Sequence, residues 1–520
     1  MQPVYRIREE LFSFVQIEDL SYGIVSLSFS FDPTQENRAI AHLVEHLLLR
    51  KMREKGKSCF FEAVTDSRQV SFRCKFLLPH LDEAIGSLRE ALSFDPGEEE
   101  IAREFRVIQQ EKRLWPDTSC PCSDRLAERS KKFHSLYFQN KPNFEIRSPY
   151  APSVLLPCLA GKRKAPPPPL KELPRSTSFS LSKETSLVVT PIEADHWIGI
   201  GIYIPLENLD PRILLGVDTL EYLVKRMGKK WIRGDDGEKL FCCAILAPSE
   251  WDLLLGLKNN PRVASNGKSL FDSRSTARSD AWGNLCRKIV PPKRKKGPSR
   301  NVLWVAGNFP VGVMEDWGKK WWRKWFPERA NDFAPHSCEK KNPDDFAGPS
   351  GRLPSFQARY LMAGAPIPRS DFWTGVAWSV YLSHELYRQF VLTGESYDAS
   401  AYCQLMEEIA VLGMWVQAGE EGTKERFDDF VKKIAQFSPT AEEFQALKQK
   451  SHLYYRINQE VSPASFTWRL QILGSHFQFS ATEKEIDSFW REGEKRVLGM
   501  SFDEFMQKKT LFFQGLMPPG

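Results

Sequence analysis

His42-Leu43-Val44-Glu45-His46 puts two imidazoles and a carboxylate within five residues of an apolar stretch. An α-helix turns once in about 3.6 residues, so His42 and His46 lie one above the other and can grip a single divalent ion. Glu45 flanks them, where a carboxylate can take a proton from a metal-activated water whose pKa has fallen to about 7. The chemistry on offer is hydrolysis. Two histidines on a buried helix also pack as hydrogen-bonded core groups, so the surrounding elements must decide.

Those elements have the right order. Gly23 to Phe31 alternates Val25, Leu27, Phe29 and Phe31 with Ser26, Ser28 and Ser30, the period of a half-buried strand. Asp32-Pro33-Thr34-Gln35 then makes a turn, and Asn37 is expected to cap a helix running to about Glu54. A second strand comes after it, with Val70, Phe72, Cys74, Phe76 and Leu78 alternating with Ser71, Arg73 and Lys75. Two helical patterns come next, the second from Glu98 to Leu114. Glu104 and Glu111 stand seven apart in it, on one face two turns from each other. Alone they would be a solvated face; their place after the motif makes them candidate partners of it.

From Tyr22 to Leu114 the chain resembles the insulinase (pitrilysin) family of zinc peptidases, whose H-x-x-E-H order is the inverzincin motif. The likeness is to the shorter, two-domain type related to processing peptidases. It implies that His42, His46 and Glu111 bind one zinc ion, that Glu45 is the general base, and that Glu104 supports the ligands from behind. Glu62-Ala63-Val64-Thr65 resembles the family's N-A-x-T edge, which implies substrate-backbone pairing at Glu62, Ala63 and Thr65. Leu386 to Tyr397 resembles the segment that supplies an Arg and a Tyr to the substrate. Tyr397 matches as a catalytic residue, Phe390 stands at the Arg position, and Arg388 is the nearest substitute. Glu62 replaces the usual Asn, and the interval from His46 to Glu111 is shorter than usual by about one helix and loop.

Rival motifs are weaker. His384-Glu385 opens H-E-x-x-H, but its fifth residue is Arg388, which is not a ligand. Cys120-Pro-Cys122 lies near His134 without a second pair at zinc-knuckle spacing, so a loop is expected there. Lys162-Arg-Lys164 before Pro166 to Pro169, and Pro291-Pro-Lys293-Arg-Lys-Lys296, read as linkers or exposed loops rather than polyanion sites, since no aromatic platform accompanies them. Trp317, Trp321 and Trp325, four apart, mark one face of a docked amphipathic helix.

A chain of 520 residues exceeds one core and implies two or three domains. With 42% hydrophobic and 27% charged residues it reads as globular, and a net charge of +6 is mild for this length. No run reaches the ~18 apolar residues of a membrane span. Met1 to Glu9 lacks the apolar core of a secretory signal, and the ten unpatterned cysteines read as reduced thiols, so a cytoplasmic location is expected.

The expected division is a zinc-bearing catalytic domain over residues 1–160, a Pro/Lys-rich linker or loop over 161–174, a middle module over 175–340, and a C-terminal insulinase-like domain over 352–520. The middle module is either an insertion or a degenerate copy whose Asp218-Thr-Leu-Glu-Tyr222 sits where a motif would, without histidines. The expected fold is α+β, with two insulinase-type lobes of mostly antiparallel sheet carrying helices on one face and enclosing a chamber. The expected function is a zinc-dependent endopeptidase acting on peptides, a precursor or leader among them. The alternative is a partner or scaffold subunit of a heterodimeric peptidase. The expected partners are a peptide and a second insulinase-like subunit or a homodimer, with no nucleic acid and no membrane.

Overall fold

Alternation of apolar and small polar residues builds the first sheet. In this computed structural model the described residues are chiefly 4–114, 121–166, 177–256, 301–325, 359–459 and 483–516, with Trp282, Leu285, Cys286, Lys288 and Ile289. Strands β1 (Val4–Ile7), β2 (Glu10–Gln16), β3 (Gly23–Ser30), β4 (Phe60–Thr65), β5 (Gln69–Phe76) and β6 (Asn143–Ser148) pair in the order β1-β2-β6-β3-β5-β4. All pairings are antiparallel except β2 with β6. β4 ends the series, so its outer edge carries no strand partner among the described residues.

Helix α1 (Gln35–Lys55) carries the motif between β3 and β4. Ile40, Leu43, Val44, Leu47 and Leu48 bury its apolar stripe with Val25, Leu27, Val70 and Phe72 of the sheet. Each such side chain contributes about 1.5–3 kcal/mol on burial. The cap differs from expectation. Thr34, in extended backbone, accepts the Asn37 N–H at 3.0 Å, while the Asn37 amide donates to the Asp32 carbonyl at 3.1 Å. Pro33 keeps Asp32 out of helical geometry, and with Thr34 as the cap the helix begins three residues earlier than a cap at Asn37 would place it. Helices α2 (Leu81–Leu92), α3 (Glu98–Leu114), α4 (Leu126–Tyr137) and α5 (Pro152–Leu159) come after it.

Strands β7 (Thr177–Ser180), β8 (Thr185–Pro191), β9 (Ile198–Pro205), β10 (Trp231–Asp235), β11 (Lys239–Leu246) and β12 (Asn301–Gly307) form a second sheet, ordered β10-β11-β9-β12-β8-β7. Taken from its other end, that is the first sheet's order strand for strand. Its parallel pair, β8 with β12, falls where β2 and β6 fall. Helix Pro211–Arg226 joins β9 to β10 as α1 joins β3 to β4, and Asp218 to Tyr222 fall at the same positions along it as His42 to His46 along α1. In the tryptophan helix Val311–Trp325, Trp321 is buried and stacked on Trp251 at 5.8 Å with Trp317 6.1 Å from the same ring, while the Trp325 side chain lies outside the described residues.

A third sheet, β13 (Arg359–Pro368), β14 (Ala399–Leu405) and β15 (Ile409–Ala418), pairs antiparallel as β13-β15-β14. Helix Phe372–Leu386 connects β13 to β14 and passes into a π turn at Tyr387–Val391. The fold is α+β. The Pro291 to Lys296 run, residues 167–174 of the expected linker, and Cys120 and Cys122 lie outside the described residues. Among the described residues seven cysteines are buried, and no helix is long and apolar enough to cross a membrane.

Candidate metal centre

With the apolar stripe of α1 committed to the sheet, His42, His46 and Arg50 remain as a row at four-residue intervals facing α3. The two helices meet antiparallel, and their side chains form rungs. His42 Nε2 lies 3.3 Å from Glu111 Oε2, and His46 Nε2 lies 3.5 Å from the same oxygen. His46 Nδ1 lies 3.6 Å from Glu104 Oε2, and Arg50 Nη1 donates to Glu104 Oε1 at 3.0 Å. The seven-residue interval on α3 matches the eight-residue row on α1 because both span about 10–12 Å of helix.

His42, His46 and Glu111 are each only 13–15% exposed, so the cluster is nearly dry yet reachable. Their nitrogen and oxygen atoms fall within 4.8 Å of one another. Glu111 Oε2 is buried and, despite the two ring nitrogens beside it, receives no aligned hydrogen bond. That is the geometry of three atoms converging on a common point rather than on each other. Ligands about 2.0–2.1 Å from a tetrahedral zinc stand roughly 3.3 Å apart, close to the 3.3 and 3.5 Å nitrogen–oxygen separations here. Two imidazoles and a carboxylate are also the donor set of hydrolytic zinc. The residues fit the ion.

The electrostatics are correspondingly strong. Burial alone would depress His46, but Glu104, Glu111 and Glu45 outweigh it and lift the ring to about 10. Burial would raise Glu111, but His42 and His46 hold it down at about 2. Glu104 thus lies between the His46 ring and the Arg50 guanidinium.

Glu45 is buried and receives the Thr65 hydroxyl at Oε2, 2.6 Å away. Thr65 ends β4, so the carboxylate is tied to the free edge of the sheet. The Thr65 hydroxyl thus orients Glu45. Ala63 is half-buried on the same strand, and Glu62 is exposed and bound by Lys75 at 2.7 Å.

Tyr397 arrives from the third sheet's segment. Its ring lies 6.5 Å from that of His46, and burial together with the Glu111 charge raises its hydroxyl above the ordinary tyrosine value. Helix α3 holds its loop: Gln110 Nε2 donates to the Gly394 carbonyl at 3.0 Å and Arg103 Nη1 to the Leu392 carbonyl at 3.2 Å. Gly394, at φ +81°, makes the turn that aims the chain there.

Arg388 is not brought to the centre. It pairs with Glu385 at 2.9 Å, and its charge acts on Tyr381 and Glu443. The π turn rotates it away, and Phe390, at the expected Arg position, is buried in the aromatic core against Phe427 and Phe430. Arg50, which the motif alone passes over, is the added member. Its place four residues beyond His46 is the signal, since that spacing continues the row.

No known family model and no curated protein matches the chain. Among solved structures, the periplasmic protease PqqL from Escherichia coli is similar at a TM-score of 0.32 and 11% identity, over 98% of this chain and 73% of that one. A peptidase M16 inactive domain from Pseudomonas fluorescens gives 0.36 and 10%, over 66% and 96%. A protease from Helicobacter pylori gives 0.28 and 11%, over the whole of both chains. With TM-scores this low, the likeness assigns neither residues nor activity to this chain.

Proposed function

We propose that the chain is a zinc-dependent endopeptidase. The observation that carries this is the convergence of His42, His46 and Glu111 beside a buried Glu45 that is tied to an open strand edge. Zinc, held by those three residues, would supply Lewis acidity toward a carbonyl and a water. A peptide would add to the outer edge of β4 as a further strand, with main-chain hydrogen bonds fixing its register. Glu45, held by Thr65 in one orientation, would take the proton of the attacking water and return it to the leaving amine. Tyr397, kept protonated by its surroundings, would donate to the oxygen on which charge develops.

The experiment is Glu45→Gln. The variant should hold as much zinc as the parent by elemental analysis while peptide hydrolysis falls at least about a hundredfold. Retained turnover would remove Glu45 from the reaction.

One observation favours a second reading, a subunit that works with an insulinase-like partner. With Phe390 in the core and Arg388 turned to Glu385, the third sheet's segment brings Tyr397 to the centre without an arginine from its own matching positions. Activity that appears only when a second chain is mixed in would select this reading, and full activity alone would exclude it.

A further inference from the structure

The edge of β4 leads from the metal centre to a second group of charges. α1 and β4 run antiparallel, so Thr65 meets Glu45 while Phe61, four residues earlier, meets Arg53, whose Nη2 lies 3.4 Å from the Phe61 carbonyl. Four residues of strand cover about 13 Å. Arg53 is exposed, with its guanidinium 5.3 Å from the centre of the Tyr387 ring. From the other side Lys450, on helix Ala441–Gln459, places its Nζ 5.1 Å from the centre of the Phe60 ring, and Tyr454 of that helix lies 6.2 Å from Phe60.

Among the described residues no carboxylate lies within 4.0 Å of Arg53 or Lys450. Glu83 is the acid whose charge reaches Lys450, and its two oxygens already serve the Ser58 N–H at 2.9 Å and His80 Nδ1 at 3.1 Å. Burial and then the Arg53 charge bring Lys450 down to about 8, as expected of two like charges left facing each other. An exposed arginine and a half-buried lysine, framed by Phe60, Tyr387 and Tyr454 beside an open strand edge, form a receptor for an anion that travels on a strand.

We propose that Arg53 and Lys450 form a subsite for a carboxylate side chain, or a terminal carboxylate, of the bound peptide, about three to five residues from the bond that is cut. This rests on the peptidase reading for its position relative to the cut, but not for the binding itself. The substrates favoured are peptides with an acidic group at that distance rather than uniformly basic ones.

The test uses the full chain loaded with zinc and an otherwise neutral peptide in which a single glutamate is walked along the sequence, each member paired with its glutamine twin. One glutamate position should lower KM about tenfold relative to its twin, the scale of a partly solvated charge-assisted contact. Arg53→Gln and Lys450→Gln should each bring that glutamate peptide toward the level of its twin, and Arg53→Lys should keep most of the preference. Equal KM for every pair would overturn the subsite. So would variants that slow both twins alike, since loss of packing against Tyr387 and Phe60 would do that. A second arm measures binding of the dye-labelled twins to Glu45→Gln by fluorescence anisotropy. Tighter glutamate binding without any hydrolysis by the parent keeps the subsite and removes the peptidase reading. Hydrolysis without preference does the reverse.

Discussion

At the residue scale, the centre is a ladder rather than a motif. His42 and His46 are legible because helical period forces residues four apart onto one face, and Glu104 with Glu111 because the same period holds over seven. What no spacing announces is the pairing between helices. Arg50 continues the row, yet only the antiparallel approach of α3 shows that it grips the carboxylate facing His46. Groups that orient a ligand from behind typically account for ten- to a hundredfold in metal affinity. Arg50→Met should therefore weaken zinc binding by about tenfold in competition with a chelator, with the circular dichroism spectrum unchanged. Unaltered affinity would leave Arg50 without a part in holding the metal. His46→Ala should abolish stoichiometric zinc, and unchanged metal content would refute its assignment.

At the element scale, the strand–helix–strand unit is readable where apolar and polar residues alternate, as in β3 and β5. β14 escapes because Ala399 to Leu405 lacks strong β-formers and is held by its antiparallel neighbour β15. Arg388 escapes for a related reason: it lies within a π turn, which looks like α-helix in sequence but winds differently and so points its side chains elsewhere. The loop after that turn is the lever on Tyr397. A methyl group at Gly394 would force a side chain into φ +81° and come 3.3 Å from Arg103 Cγ. Gly394→Ala should cost about 1 kcal/mol or more in a denaturation experiment. It should also lower kcat while sparing zinc content. A kcat equal to the parent's would show that Tyr397 does not act on the reaction.

At the scale of the molecule, one plan recurs. Each of the three sheets contains a strand, a helix and a hairpin in which the later hairpin strand pairs next to the first, as in β3-β5-β4, β9-β11-β10 and β13-β15-β14. Only the first carries histidines at the motif position on its helix. The sequence leaves the middle segment open between an insertion and a module, because strand order is a property of pairing and not of period. Helix Ala441–Gln459 meets the ends of the first sheet's strands through Leu453, Tyr22 and Leu77, and Lys450 of that helix sits beside the contact. Its folded value of about 8 lies below the ordinary 10.5, so it is charged in both folded and unfolded chains below about pH 8, where the cost of burying the charge is felt in full. Between about 8 and 10.5 the unfolded chain holds a proton that the folded one has released, so stability rises with pH. Lys450→Met should accordingly raise the melting temperature at pH 7, and its advantage should shrink toward pH 10. An advantage that is constant with pH would contradict an uncompensated cation at Lys450.

Everything proposed for the centre depends on one zinc ion being held by His42, His46 and Glu111. Zinc-edge X-ray absorption on the chain loaded with a single equivalent tests it most directly. The expected spectrum has a shell of nitrogen and oxygen at about 2.0–2.1 Å with imidazole scattering from two rings, lost in His46→Ala. A sulfur shell near 2.3 Å, or no uptake of the metal, would contradict it.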